Sequence, residues 1–188
     1  MHFSAVILAA GRSERMGRDK AWLEVDGQPL IRRQIKLVRE LDAKEIFISG
    51  RADGDYTALQ CPVLTDKFPN AGPLAGIERA LAETISPLLL VLAVDLPRLT
   101  PSVLCELLAH CTAQTGAIPR VNKQIEPLAA FYPRAAQPLA VSLLASGNNA
   151  ARNFAQNCVA QKLAGFVDLP DEVSIAFTNL NTPNDLVG

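Results

Sequence analysis

Short, wholly apolar runs alternate along this chain with longer amphipathic ones, and that alternation predicts strands followed by helices. Phe3 to Ala10 is apolar apart from Ser4 and short enough for a buried strand. Leu30, Ile31, Ile35, Leu37, Val38 and Leu41 recur at helical spacing, with Arg32, Arg33, Lys36 and Arg39 between them, so Leu30 to Leu41 reads as a helix with a solvated basic face. Pro29 suits an early helical position. Lys44 to Ser49 reads as a second strand, ending in the polar Gly50-Arg51-Ala52-Asp53-Gly54. Strand, helix and strand at this spacing predict a right-handed parallel unit.

The pattern then repeats. Cys61 to Thr65 is a third, shorter strand ending at Asp66, and a loop from Phe68 to Pro73 leads into a helix from about Leu74 to Glu83. Leu88 to Val94 is apolar on both faces, as expected of the centre of a parallel sheet covered on each side by helices. It ends in Asp95-Leu96-Pro97, and Thr100 with Pro101 has the chemistry of an N-cap and first helical residue for a helix through about His110.

The later third is less regular. Gly116 to Pro119 and Glu126 to Tyr132 read as strands around a polar turn, placing an antiparallel strand in the sheet. Two helices follow, Ala135 to Leu144 and Ala150 to Leu163. Ala176-Phe177-Thr178 reads as a short strand, and Thr182 as the cap of a last turn at Pro183. The expectation is an α/β fold: a three-layer, Rossmann-like, mostly parallel sheet with one antiparallel strand, in a single domain spanning residues 1–188.

Composition narrows the function. With 188 residues the chain is long enough to bury a sizeable core without metal or disulfide support. Its 18 Lys+Arg against 19 Asp+Glu give no basic field for duplex nucleic acid, so attraction for an anion has to be local. Cys61, Cys105, Cys111 and Cys158 lack CxxC spacing and sit in apolar segments, which reads as buried free thiols in a reducing compartment. The apolar run Pro87 to Val94 is far shorter than the roughly 20 residues that span a bilayer. With no secretory pattern at the start, the expected location is cytoplasmic, without nucleic-acid or membrane partners.

Chemistry concentrates after the first strand. From Gly11 the chain carries Arg12, Arg15, Arg18 and Lys20 against Glu14 and Asp19, with a second glycine at Gly17. Such a loop can offer peptide N–H groups and positive charge to phosphate oxygens, although it is neither a P-loop nor a GxGxxG fingerprint. Taken alone it reads equally well as a charged surface turn. Asp95 is not needed as the following helix cap, which leaves its carboxylate at the edge where open parallel sheets bind ligands. The alternative is a turn residue bonded to its own backbone. His2 and His110, the chain's two histidines, stand in no polar constellation.

Leu8-Ala9-Ala10-Gly11, Arg15-Met16-Gly17, Asp19-Lys20 and Gly27-Gln28-Pro29-Leu30 resemble the signature of nucleotidyltransferases acting on the pterin molybdenum cofactor. Gly72-Pro73-Leu74-Ala75-Gly76-Ile77, Asp95-Leu96-Pro97, Glu126-Pro127-Leu128 with Tyr132, and Phe177 to Pro183 look like the molybdenum cofactor guanylyltransferase branch, nearly end to end. The resemblance implies a nucleotide-diphospho-sugar transferase-like fold and transfer of GMP from GTP to molybdopterin, with pyrophosphate released and Mg2+ assisting. It also allows contact with other cofactor-biosynthesis or acceptor proteins. By position, Leu8, Ala9, Ala10 and Gly11 would line the nucleotide pocket, Arg15 and Lys20 the phosphates, and Asp95 the metal, so that Arg15, Lys20 and Asp95 form the catalytic set. Asp66 matches an acidic position associated with guanine, and Asn179 and Asn181 would lie beside the pterin.

Three positions depart from the family pattern. Leu-Ala-Ala-Gly is more typical of cytidylyl-transferring relatives, which makes CTP the alternative donor. Ser49 stands where an Asn contact to the nucleotide is expected, and the Gly147-Asn148-Asn149 turn lacks paired arginines, leaving Arg152 or Arg120 as substitutes. From a different functional class, the alternative is a catalytically silent nucleotide-binding partner in cofactor delivery. The residues themselves suit the transfer chemistry. A phosphate monoester with its second pKa near ~6 is largely ionised at neutral pH and needs no base. What it needs is in-line positioning and relief of charge. A carboxylate at Asp66 could accept guanine's two adjacent N–H donors together, and the alternative is a residue that merely begins the turn toward Pro69.

Overall fold

The computed structural model describes residues 1–10, 19–51, 54–68 and 71–180. The chain begins with β1 (Phe3–Leu8); β2 (Glu24–Val25) and β3 (Gln28–Pro29) form a small hairpin ahead of α1 (Leu30–Glu40). Next come β4 (Ile46–Ser49), β5 (Val63–Leu64), α2 (Pro73–Glu83), β6 (Leu88–Ala93) and α3 (Pro101–Ala109). The last part holds β7 (Gly116–Val121), β8 (Gln124–Ile125), β9 (Ala129–Pro133), α4 (Gln137–Ala145), α5 (Ala151–Ala160) and β10 (Ala164–Asp168).

The main sheet runs β10-β7-β9-β6-β1-β4-β5, with β8 paired to β7. β1 is flanked by parallel neighbours, β4 on one side and β6 on the other. β9 is antiparallel to both β6 and β7, as expected, and β8 adds a second, two-residue antiparallel piece. That piece exists because Asn122 and Lys123 both adopt positive φ, the conformation of a two-residue hairpin turn. Asp26 and Gly27 do the same between β2 and β3, an element the hydrophobic pattern is too short to announce.

Alternation along the strands sends side chains to two helical layers. Phe3, Ala5, Leu88, Leu90 and Leu92 pack with Leu37 and Val38 of α1 and Val103, Leu104 and Leu107 of α3. Val6, Leu89 and Val91 face the other way, against Leu74, Ile77 and Leu81 of α2, Leu144 of α4 and Phe154 of α5. β6 is fully buried along its length, which is why its sequence shows no polar alternation.

Several expectations are corrected. Ala176 and Phe177 end a 3-10 helix, Asp171–Phe177, instead of forming a strand, and both are buried against the α3 face of the core. The strand that borders the sheet there is β10, parallel to β7, which follows α5 once Lys162 takes a left-handed φ of 62°. Thr100 stands at the N-cap of α3 in extended backbone but makes no side-chain capping bond. The basic face of α1 is not wholly solvated: Arg33 is half-buried and donates to the carbonyls of Val25 and Pro97. Cys105 is exposed, whereas Cys111 and Cys158 are buried with thiols pushed up to about 12 by desolvation. Among the described residues no helix is long and apolar enough to cross a membrane.

Candidate functional site

Parallel pairing aligns three strand ends. Leu8 is in register with Ser49 on one side and Ala93 on the other, so β1, β4 and β6 stop together at the carboxyl edge of the sheet. β5 ends beside them, bringing Asp66 to the same edge. The chain moves from β1 outward to β4 and β5, then returns to β6 on the opposite side, and a crevice opens at such a reversal. Here a cleft of about 600 Å3 is lined by Leu8, Ala10, Lys20, Ser49, Asp66 and Asp95, with Gly72, Pro73 and Leu128 closing its sides.

Within it Lys20 and Asp95 meet. The Lys20 ammonium donates to Asp95 Oδ2 at 2.7 Å, with side chains 12% and 22% exposed. Asp95 stands two residues past the end of β6, and its position is fixed by backbone bonds on both sides. Val94 N–H donates to the Leu8 carbonyl, and Asp95's own carbonyl accepts from Leu180 N–H at 2.9 Å. The next residue is held as well, since buried Gln34 of α1 donates to the Leu96 carbonyl at 2.8 Å. Lys20 opens a 3-10 turn, Lys20–Trp22, whose preceding residue Asp19 caps it by accepting from Ala21 N–H.

Asp66 differs from Asp95 in pairing with no cation among the described residues. Its Oδ1 is buried and lacks a hydrogen-bond partner among the described residues. Burial and, second, the nearby Glu78 carboxylate raise its pKa above the ordinary aspartate range. Such an orphaned acceptor in a cleft is suited to a ligand that brings N–H donors.

Ser49 is buried at the end of β4 and lines the cleft. Gly76 of α2 makes room for it, because a Cβ there would overlap the Ser49 side chain. Ala9, by contrast, is not a lining residue: its methyl is fully buried in the core and its N–H donates to the Ser49 carbonyl. Asn179 is exposed and sits next to Leu180, which is bonded to the Asp95 backbone. Gly11, Arg15 and Asn181 lie outside the described residues. Of the two suggested substitute arginines, Arg120 is engaged in a two-pronged pair with Asp168 and stacks over Phe166, and Arg152 is exposed.

The structure adds residues to which no role had been given. Leu128 reaches the cleft on a loop held by the buried Tyr132, whose hydroxyl donates to the Pro127 carbonyl at 2.9 Å, while Leu128's carbonyl accepts from Ala93 N–H. Gly72 precedes α2 with φ 68° and ψ −159°, a region essentially restricted to glycine. The Gly72-Pro73 pair is itself the local signal for that corner. Tyr56, buried beside the Lys20 turn, carries no signal of periodicity at all.

Among the described residues no three His, Cys, Asp or Glu side chains gather as a protein-only metal cage. The Asp95 carboxylate, open to the cleft, instead fits the way Mg2+ is held, by one or two carboxylates together with substrate phosphates and water.

Comparison with known proteins agrees with this architecture. Residues 5–162 match the MobA-like NTP transferase domain. A relative from Opitutus terrae, named as a probable molybdenum cofactor guanylyltransferase, is 36% identical over 97% of this chain and 92% of its own length. One from Pelotomaculum thermopropionicum with the same name is 33% identical over 98% and 90%. Among solved structures, molybdopterin-guanine dinucleotide biosynthesis protein A from Archaeoglobus fulgidus superposes with a TM-score of 0.73, at 24% identity over 97% of this chain and 94% of that one. The 2-C-methyl-D-erythritol 4-phosphate cytidylyltransferase from Thermus thermophilus shares the fold, with a TM-score of 0.72 at 18% identity over 97% and 94%. Matched over most of its length by this domain and by full-length relatives above 30% identity, the chain belongs to the MobA-like NTP transferase family.

Proposed function

We propose that this protein transfers GMP from GTP to the terminal phosphate of molybdopterin and releases pyrophosphate. The observation that carries the reading is the convergence of Lys20, Asp95 and Asp66, whose Oδ1 has no partner among the described residues, on one cleft at the carboxyl edge of the sheet. The names of the relatives support the choice of donor and acceptor.

An oxygen of the acceptor phosphate attacks the α-phosphorus of GTP, a new phosphoanhydride bond forms, and the bond to the β-phosphate breaks. The acceptor is already ionised near neutral pH, so no side chain has to remove a proton. Lys20 supplies positive charge to the transferring and leaving phosphates, with Arg15 as a second cation in the same role. Asp95 would hold Mg2+, which when bound offsets charge on the phosphate oxygens. Asp66 accepts from N1–H and N2–H of guanine, a pair of donors that cytosine lacks. Leu8, Ala10 and Ser49 shape the nucleotide pocket, and Asn179, next to the Leu180 that bonds the Asp95 carbonyl, serves the pterin side.

The test is incubation of the protein with molybdopterin and Mg2+ in the presence of each nucleoside triphosphate in turn, with the product identified by mass. Molybdopterin guanine dinucleotide with stoichiometric pyrophosphate is the expected result. A cytidylyl product from CTP, with GTP inert, would overturn the donor, and absence of any nucleotidyl product would overturn the enzyme.

A further inference from the structure

Tyr56 is buried in an apolar cluster with Ala21, Leu30, Ile48 and Leu59, yet its hydroxyl meets polar partners. It lies after β4, beyond the segment 50–54, and its ring covers the backbone of Gly50 and Gly54 so closely that a Cβ at either position would overlap it. On its other side it stacks against Trp22, with ring centroids 6.3 Å apart and planes within 16°. Two glycines and a tryptophan therefore form a slot that fixes the ring. A phenylalanine would fill the same slot, so the hydroxyl has to be explained separately.

That hydroxyl joins the two loops at the edge of the cleft. It accepts from Arg51 N–H at 3.2 Å and donates to Asp19 Oδ2 at 2.9 Å. The other Asp19 oxygen accepts from Ala21 N–H at 3.0 Å, closing the cap of the turn that begins at Lys20. Each carboxylate oxygen of Asp19 thus has a separate duty, one toward the Lys20 turn and one toward Tyr56. Desolvation holds the phenol pKa at about 12, so the group stays a donor throughout the neutral range.

We propose that Tyr56 is a positioning residue for Lys20: through Asp19 its hydroxyl fixes the 3-10 turn that aims the lysine ammonium at the Asp95 side of the cleft. This rests on the reading of Lys20 as the cation that serves the triphosphate. Long lysine side chains are not held by their own packing, and an ammonium displaced by about 1 Å loses much of its effect on a transition state. A turn braced at its cap supplies that constraint from outside the reacting groups.

Turnover of the full chain with GTP, molybdopterin and Mg2+ is the readout. Tyr56→Phe keeps the ring in its slot and is expected to lower kcat about ten- to hundredfold, with KM for molybdopterin and the thermal midpoint little changed. Asp19→Asn offers one acceptor oxygen where the carboxylate uses two, and is expected to reproduce the loss even if the tyrosine variant folds poorly. The deciding measurement is Tyr56→Phe in the Lys20→Ala background. A positioning residue adds nothing once the lysine is gone, whereas a merely structural residue imposes its loss in either background. Additive losses, or normal kcat in Tyr56→Phe beside an impaired Lys20→Ala, overturn the proposal while leaving the role of Lys20 standing. Normal turnover in Lys20→Ala overturns both.

Discussion

The Lys20 ammonium lies 2.7 Å from Asp95 Oδ2, although 75 residues separate the two in sequence. Lys20 stands in a turn beyond β1 and Asp95 just past β6, and the pairing of those strands in register from Phe3 with Leu88 to Leu8 with Ala93 ends both at the same edge of the sheet. Neither residue is freely solvated, so each partly neutralises the other in the cleft before substrate arrives. On the proposed reading, the triphosphate and its metal enter by taking over both partners, the phosphates drawing on the lysine and the cation on the aspartate. The site is thus charged for a bound pair of opposite charges, and not for a lone anion.

Removing the carboxylate charge tests that arrangement directly. Asp95→Asn preserves the backbone, including the bond from Leu180 N–H to the residue 95 carbonyl, so the fold is expected to survive. Turnover should fall roughly a hundredfold or more, the scale of loss at other preorganised charges. Pyrophosphate release under saturating GTP measures it, with circular dichroism as the control. A variant working at near wild-type speed would sink the metal assignment.

Lys20→Ala should lower kcat at least as far as Tyr56→Phe does, since the lysine serves the transferring and leaving phosphates, and should weaken triphosphate binding as well. Affinity for GTP is expected to drop about tenfold at low ionic strength, and the difference should narrow as added salt screens the lysine. Calorimetric titration across a salt series provides the comparison. Equal affinities at low salt would remove the lysine from the phosphate site.

The sequence pattern made the parallel core legible because β1 and β6 are apolar on both faces, and burial on both faces leaves little ambiguity about where such strands lie. Asp95 was legible for the same reason, as the first charge after the most buried strand. The contact with Lys20 was not, since no local period encodes a distance across 75 residues. It was accessible only through resemblance to a family. β10 escaped notice because Ala164-Gly165-Phe166-Val167-Asp168 is short, contains glycine and is only half-buried at the sheet border. Tyr56 escaped because its slot is made by two glycines, and a residue that is absent of side chain leaves no hydrophobic pattern to read.

Gly72 gives a test of how the cleft wall is built. Nothing lies within 4 Å of a Cβ placed there, so the objection to a side chain is the backbone alone, held at φ 68° and ψ −159°. Gly72→Ala is expected to cost about 1–3 kcal/mol of stability. Because α2 starts at the next residue and both line the cleft, KM for GTP should rise as well. Urea unfolding and steady-state kinetics measure the two effects, and an unchanged unfolding midpoint would show that the corner can relax.

Asp66 carries a pH dependence whose direction can be worked out. Burial, then the charge of Glu78, raises its folded pKa above the ~3.9 of a free aspartate. A carboxyl that binds its proton more readily when folded favours the folded state fully at pH below its unfolded value. That contribution is lost as pH rises through the folded value. At neutral pH the unliganded protein therefore holds a buried, unpartnered carboxylate oxygen at a cost. Asp66→Asn should accordingly raise the thermal midpoint near pH 7, by about 1 kcal/mol in stability, and the gain should shrink as pH falls and the wild-type carboxyl takes up its proton. Guanine binding runs the other way, because only the ionised carboxylate accepts both donors. Affinity for GTP should weaken on acidification in the wild type, while the Asn variant binds weakly and independently of pH over that range. Thermal scans and GTP titrations at matched pH values separate the two effects. A GTP affinity in Asp66→Asn equal to wild type at pH 7 would mean that guanine is read elsewhere, whatever the stability shows.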